Sequence, residues 1–331
     1  MDDNLFDSPG RWLRGNLHCH TTESDGRLPP NEVVDYYSSC GYDFIALTDH
    51  EVITRTESRR IKLIHGTEIV AGQGILGDSY HVVALNVEDN DALQRRKLES
   101  LDSLLDYIAG VNGLAFIAHP YWSRLTTQDL SEVDNTLGIE VYNTGCDVLV
   151  AKGFSTVHWD NLLSQGKRPC GFAVDDAHWY PIDSAGGWMW VKVKEESVEG
   201  ILASIREGRF YSTMGPSIES FAYSNGTADA RFSPVKRVDV ISMGGVGFSA
   251  STAIYERVKN ARNDMIRVST DRNAEGVEQA RIELGNRVVH LELRNESITH
   301  LHLEGVPFQK YLRLEVTDSE GKKAWSNPVL L

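Results

Sequence analysis

The chain has 331 residues, 41% hydrophobic and 24% charged, and its 47 acids against 33 Lys and Arg leave a formal net charge of −14. That length suffices for one large domain and a smaller one, with the composition of a soluble globular protein. No apolar run approaches the roughly 18 residues of a membrane span, and the acidic balance disfavours nucleic acid and anionic membranes as partners.

The polar, acidic start, MDDNLFDSPG, lacks the pattern of a signal peptide. Cys19, Cys40, Cys146 and Cys170 are scattered, with no C-x-x-C spacing, which suits reduced thiols and a cytoplasmic location. Residues 11–18 read as a first strand that ends at His18 and His20. Alternate strand positions point to one side, so the two imidazoles converge. Asp25 follows in a Ser-Asp-Gly turn. Pro29-Pro30 opens a helix with Val33, Val34 and Tyr37 on its apolar face, and Gly41 ends it. The short apolar run Phe44–Thr48 has the character of a parallel strand buried on both faces, and it delivers Asp49 and His50.

Strands are expected at 62–70, ending near Glu68, and at 80–87, starting at His81. Leu98, Leu101, Leu105 and Ile108 form a helical stripe over about 92–109. GLAFIAHP is a buried strand ending at His119, and GIEVYN at 138–143 carries Glu140. Helical sequence runs on through Asp160. RPCGFAVDDAH is then a strand ending in Asp175, Asp176 and His178. A strand at 187–193, a helix at 197–207 and a strand at 209–213 close this part.

Strands alternating with helices predict an α/β fold with a parallel sheet. The polar residues gather at the C-terminal strand ends, where barrel enzymes place their sites. After Gly215-Pro216 the pattern changes to short alternating runs at 235–243, 287–294, 300–306 and 311–317, with one helix near 252–262. These predict a small all-β domain at 216–331 after a first domain at 1–215.

His18, His20, Asp25, His50, Glu68, His81, His119, Asp176 and His178 are the candidate metal ligands. Imidazoles and carboxylates suit Zn, Mn or Fe, and nine donors exceed one tetrahedral site, so two or three divalent ions are expected. Asp49 either orients a ligand or is an exposed turn acid, and Glu140 has an orienting role beneath the site. Tyr121, Trp122, Arg124, Asn143 and Trp179 flank the expected mouth. Trp122, Arg124 and Asn143 are the expected substrate contacts, Arg124 for a small anionic molecule. His300 and His302 alternate on a predicted strand without carboxylate company and are expected to be solvated. Gly244-Gly245-Val246-Gly247 lacks the Lys and Ser/Thr of a phosphate loop and reads as a turn.

GNLHCHTTESDG, ALTDH, GTEI, the HVV of YHVV, AHP and DDAH resemble, in order, the motifs of the PHP (polymerase and histidinol phosphatase) family across about residues 11–215. The resemblance implies a distorted (β/α)7 barrel with a trinuclear metal site. It implies that His18, His20, Glu68 and Asp176 hold one ion, that Glu68 bridges to a second on His81 and His119, and that Asp25, His50 and His178 hold a third. Asp176, not Asp175, fits the family's Asp-x-His pattern. His65 and His158 match no motif position. The resemblance also implies phosphoester hydrolysis, with Glu68 as the bridge; in the expected mechanism a hydroxide between the ions attacks, and His178 or a metal-bound water protonates the leaving group. The β tail is similar to that of a branch containing carbaryl-hydrolase-like enzymes, which makes carbamate or carboxylic ester cleavage the alternative. A metal-binding module without catalysis is the reading from another class. Nucleotide-cleaving members usually carry an inserted substrate-covering segment, for which the spacing from His81 to His119 leaves little room.

Overall fold

The structure, a computed structural model, describes residues 5–260 and 265–331. It divides into two compact units, Pro9–Ser212 and a second built on Thr213–Leu331 together with residues through Ser8.

In the first unit the elements are β1 (Arg11–Asn16), α1 (Pro30–Ser39), β2 (Phe44–Leu47), β3 (Lys62–Ala71), β4 (Tyr80–Leu85), α2 (Asn90–Glu99), α3 (Leu101–Gly110) and β5 (Leu114–Ile117). They continue with α4 (Thr127–Ser131), β6 (Gly138–Asn143), α5 (Thr144–Val150), α6 (Thr156–Ser164), β7 (Cys170–Val174), β8 (Trp188–Val193), α7 (Val198–Arg206) and β9 (Phe210–Thr213). The sheet runs β9-β8-β1-β2-β3-β4-β5-β6-β7. β1, β2 and β3 are parallel neighbours, as are β5, β6 and β7, whereas β4 is antiparallel to both of its partners and β8 to β1. Phe44, Phe116, Phe172, Phe210, Leu13 and Val191 share one buried apolar cluster, with the Phe116 and Phe172 rings stacked at 4.4 Å. Val33, Val34 and Tyr37 of α1 pack with Ile45 and Leu47 in a second cluster.

The expected barrel does not close: the hydrogen-bonded strand order ends at β7. Where a ladder would join β7 to β1 and β9, side chains stand in for backbone partners. Asn16 Oδ1 accepts from the Asp175 N–H at 3.0 Å. Ser212 Oγ accepts from the Ala173 N–H at 3.0 Å and donates to the Gly171 carbonyl at 2.7 Å. A single parallel bridge, Cys19 to Ala177, continues the contact beyond β1. These bonds satisfy buried backbone groups that an open edge would strand.

Two smaller differences concern helices and strand ends. The helix expected over 92–109 is two helices, broken at Ser100, whose extended backbone (φ −172, ψ 167) and side-chain bond to the Ser103 N–H start α3. The first strand stops at Asn16, so His18 and His20 lie on the segment just past it. The four cysteines are free. Among the described residues no helix is long and apolar enough to cross a membrane.

The second unit comprises β10 (Ile218–Ser224), β11 (Thr227–Val235), β12 (Arg237–Ser242), β13 (Gly247–Ser251), α8 (Thr252–Lys259), β14 (Ile266–Arg272), β15 (Glu278–Leu284) and β16 (Arg287–Arg294). It ends with β17 (Ser297–Glu304), β18 (Tyr311–Thr317), β19 (Lys323–Ser326) and β20 (Val329–Leu330). One antiparallel sheet runs β10-β11-β17-β16-β15-β14; β13-β12-β18-β19 form another run, with β20 on β18. Leu301 and Leu303 of β17 are buried at alternate positions, the pattern of a half-buried strand, whereas β18 is buried on both faces from Tyr311 through Val316. The expected helix near 252–262 is α8, and positions 261 and 262 of that expectation lie outside the described residues. Residues 243–246 form the turn between β12 and β13.

Candidate metal centre

Each candidate ligand sits at or just beyond a strand of the first unit. The segment after β1 carries His18, His20 and Asp25, where Gly26 packs so tightly that a Cβ would lie 2.5 Å from the His20 carbonyl. His50 follows β2, Glu68 lies in β3 and His81 in β4. His119 follows β5, and Asp176 and His178 follow β7. His119 (φ 28) and Asp176 (φ 55) hold left-handed backbone, a conformation costing on the order of 1–3 kcal/mol that clusters at functional sites.

The nine side chains gather into three groups of donor atoms: His18, His20, Glu68 and Asp176; Glu68, His81 and His119; and His20, Asp25, His50 and His178. In the first, His18 Nε2 stands 3.1 Å from both His20 Nε2 and Glu68 Oε2 and 3.2 Å from Asp176 Oδ1. His20 Nε2 is 3.0 Å from the same Asp176 oxygen. Glu68 turns its other oxygen, Oε1, to His81 Nδ1 at 2.7 Å and His119 Nε2 at 3.1 Å. In the third, Asp25 Oδ1 lies 3.2 Å from His178 Nε2, 3.7 Å from His50 Nε2 and 3.8 Å from His20 Nδ1. His20 is thus near the third group as well as in the first, a sharing the motif carry-over does not include.

The tautomers tell whether a cation fits. Glu140, buried in β6, accepts the His18 Nδ1–H at 2.7 Å, which leaves Nε2 a lone pair facing two carboxylates. Ser123 Oγ lies 3.0 Å from His119 Nδ1 and holds that ring in place through a hydroxyl able to donate or accept. The His178 Nδ1–H donates to the Asp176 carbonyl at 2.9 Å, so its Nε2 also presents a lone pair to a carboxylate, Asp25. Lone pairs converging on lone pairs need positive charge between them. A tetrahedral ion with bonds of about 2.1 Å spaces its ligands roughly 3.4 Å apart, close to the separations in the first group.

The electrostatics agree. Burial alone would lower His18 and His20, but Asp176, Glu68 and Glu140 raise His18 well above its ordinary value, and Asp176 and Glu68 raise His20 to about 9. Burial would likewise raise Glu68 and Asp176, yet His18 above all holds both carboxyls low. His50 is lowered by its burial. The cluster therefore keeps its carboxylates ionised and, with no metal bound, favours protons on His18 and His20, which a metal would displace.

Around the donors lies a supporting layer. Glu140 Oε2 accepts from the His119 backbone N–H at 2.7 Å and from Asn143 Nδ2 at 2.9 Å. Asn143 also donates to Asp176 Oδ2 at 3.1 Å and is fully buried, so it positions a ligand and does not meet a substrate as expected from its place in the sequence. Asp49 is buried rather than an exposed turn acid, and it binds Thr21, Ser24 and Thr54, shaping the loop that carries Asp25. Asp175 accepts from the N–H groups of Ala185, Gly186 and Gly187 at 2.9 Å each and stands outside the donor groups, whereas Asp176 belongs to one of them. Sequence reading missed Ser123, which carries no signal beyond its spacing of four from His119.

The donors open into a cleft of about 290 Å³ lined also by Trp122, Cys146, Leu149, Val150 and Trp179. Trp122 is where the sequence places it. Arg124 is not among the lining residues: it is exposed and paired with Asp78, which occupies the guanidinium. In the second unit, His300 and His302 are not without carboxylates: both share Asp229 Oδ2, at 3.0 and 2.9 Å, because β17 pairs with β11 in that register. His65 and His158 belong to no donor group.

No family model matches the chain. A two-domain protein from Bacteroides vulgatus, containing a predicted PHP-like metal-dependent phosphoesterase, superposes with a TM-score of 0.52 at 16% identity, over 97% of this chain and 95% of that one. The chain has the PHP-like two-domain fold. An amidohydrolase from Chromobacterium violaceum aligns with a TM-score of 0.42 at 17% identity, over 59% of this chain and 96% of that one. A 5'-3' exoribonuclease of Haemophilus influenzae is 33% identical over 94 residues, which are 27% of this chain and 34% of that protein. The chain thus spans about a third of the length of the curated relative it matches.

Proposed function

We propose that the chain is a metal-dependent hydrolase that cleaves a phosphoester. The observation that carries this is Glu68, whose two oxygens face two different sets of imidazoles. His18, His20 and Asp176 complete one position, His81 and His119 the next, and Asp25, His50 and His178 a third. Divalent ions bound by these residues would supply Lewis acidity toward an ester oxygen, an activated water and charge to offset that of the transition state. Everything else is the work of the chain. Glu140 fixes the His18 tautomer and Ser123 the orientation of the His119 ring. His178, its Nδ1–H spent on the Asp176 carbonyl, has the posture of a ligand rather than of the acid for the leaving group. The cleft walls hold the substrate against the donors and exclude bulk water.

One observation favours the second reading, carbamate or carboxylic ester hydrolysis: among the described residues that line the cleft there is no Lys or Arg to meet a phosphoryl charge. The deciding experiment is turnover by the Mn- or Zn-loaded protein on phosphomonoesters, phosphodiesters, carbamates and carboxylic esters. Phosphoester turnover at least about tenfold above the others, lost in Asp176→Asn, is the expected result. Turnover confined to carbamates or carboxylic esters transfers the reaction to the second reading. Full metal loading without turnover of any class leaves a binding module.

A further inference from the structure

We propose that the rim of this cleft receives an uncharged aryl or short alkyl group of the substrate, next to the bond that is cleaved. This rests on the hydrolase reading above and adds the chemical class of the group that is held. Trp122, Leu149, Val150 and Trp179 are 43%, 53%, 51% and 45% exposed, yet all four line one cleft whose floor is the donor cluster. Large apolar side chains left half exposed are ordinary when scattered and meaningful when they adjoin. The fold gives them no packing role that accounts for their exposure. α5 buries Thr144, Gly145 and Cys146 and leaves Val148, Leu149 and Val150 out. The same helix is seated hard against the donors: a Cβ on Gly145 would come within 2.9 Å of the Asp176 carbonyl.

Trp122 fixes the direction. Its ring meets those of His81 and His119 edge-on, at centroid distances of 5.6 and 5.0 Å. A group attached to a reacting centre at those imidazoles therefore lies along the indole. The charges argue the same way. Arg27 lies over the Trp179 ring at 4.0 Å, Arg124 is paired with Asp78, and Lys152 lies 5.7 Å from the Tyr121 ring. None of these cations is among the residues that line the cleft, whose walls beyond the donors are mostly apolar. A volume of about 290 Å³ sits at the small end of ligand sites, enough for a single ring or short chain.

The test uses the full-length, Mn-loaded protein and three unhydrolysed probes, methyl-, butyl- and phenylphosphonate, by calorimetric titration. Butyl and phenyl probes should bind about tenfold tighter than methyl, from partial burial of their extra carbons. In Leu149→Ser and in Trp122→Ser that preference should fall to about twofold, with methylphosphonate affinity kept in Leu149→Ser, a half-exposed position that tolerates a polar residue. Equal affinity for all three probes in the wild type overturns the apolar subsite and leaves the hydrolase reading standing. A preference that survives both substitutions also overturns it. Failure of all three, methylphosphonate included, overturns the phosphoester reading and the subsite with it.

Discussion

Glu140 accepts the Nδ1–H of His18 at 2.7 Å, from a strand that contributes no donor of its own to the metal-type groups. The same carboxylate takes the backbone N–H of His119, so one buried acid orients imidazoles of two different groups. Glu140→Gln keeps the shape and removes the charge. We predict a metal affinity lower by about 10–100-fold, as for other outer-layer partners of metal-binding imidazoles. Competition with a fluorescent chelator measures it. Unchanged affinity would show that the 2.7 Å contact is packing alone.

Metal removal should destabilise the first unit. Glu68, Asp176 and Glu140 are buried together, and without cations their repulsion is relieved only by protons. Dialysis against a chelator should lower the thermal midpoint, and resupply of Mn or Zn should raise it in a concentration-dependent way. Two or three ions per chain are expected on reloading, by elemental analysis. At most one ion would end the three-position account.

The open seam beside β7 makes a stability prediction. Ser212→Ala removes both the acceptor for the Ala173 N–H and the donor to the Gly171 carbonyl, two buried hydrogen bonds at once. The cost should be about 1–3 kcal/mol in denaturant unfolding. A loss of a few tenths or less would mean that water or a neighbouring group replaces the hydroxyl.

Asp229 and His302 set a pH dependence in the second unit. Burial would lower His302, but Asp229 and Glu304 raise it, and both imidazoles hold Asp229 low against its own burial. A raised imidazole contributes stability fully below its unfolded value, near 6.5, and loses it as pH rises through the folded value. A lowered carboxyl contributes above its unfolded value, near 3.9, and loses it as pH falls through the folded one. The pair therefore helps most between those limits, by under about 1 kcal/mol because both groups are partly solvated. Asp229→Asn should lower the thermal midpoint at pH 5.5 more than at pH 9. A difference independent of pH would contradict the ion pair.

The donor set was legible because most of the ligands lie at or near the end of an apolar run, with His81 at the start of one and Asp25 in a turn. The closure of the sheet was not, since it depends on β7 meeting β1 and β9 across long separations, where Asn16 and Ser212 replace a ladder. The carboxylate beside His300 and His302 comes from Asp229, 71 and 73 residues away, and only strand register reveals it. The hairpin of β10 and β11 did leave a signal, the Asn225-Gly226 pair, both at positive φ (51 and 81) as a two-residue turn of that kind requires. The exposed apolar run Val148–Val150 reads in sequence as ordinary helix, and its meaning appears only with the cleft beside it.

The central claim is that Glu68 holds two ions at once, and Glu68→Gln tests it most directly. The amide keeps the size of the side chain but removes the negative charge shared by the two donor groups, so the ions' mutual repulsion is no longer offset. Elemental analysis of the variant at saturating metal should show at least one ion fewer per chain than the wild type, with hydrolysis reduced by orders of magnitude. His300→Ala, outside the donor groups, should keep the wild-type count and rate. Wild-type metal content and turnover in Glu68→Gln would contradict the bridge and, with it, the assignment of the two positions it joins.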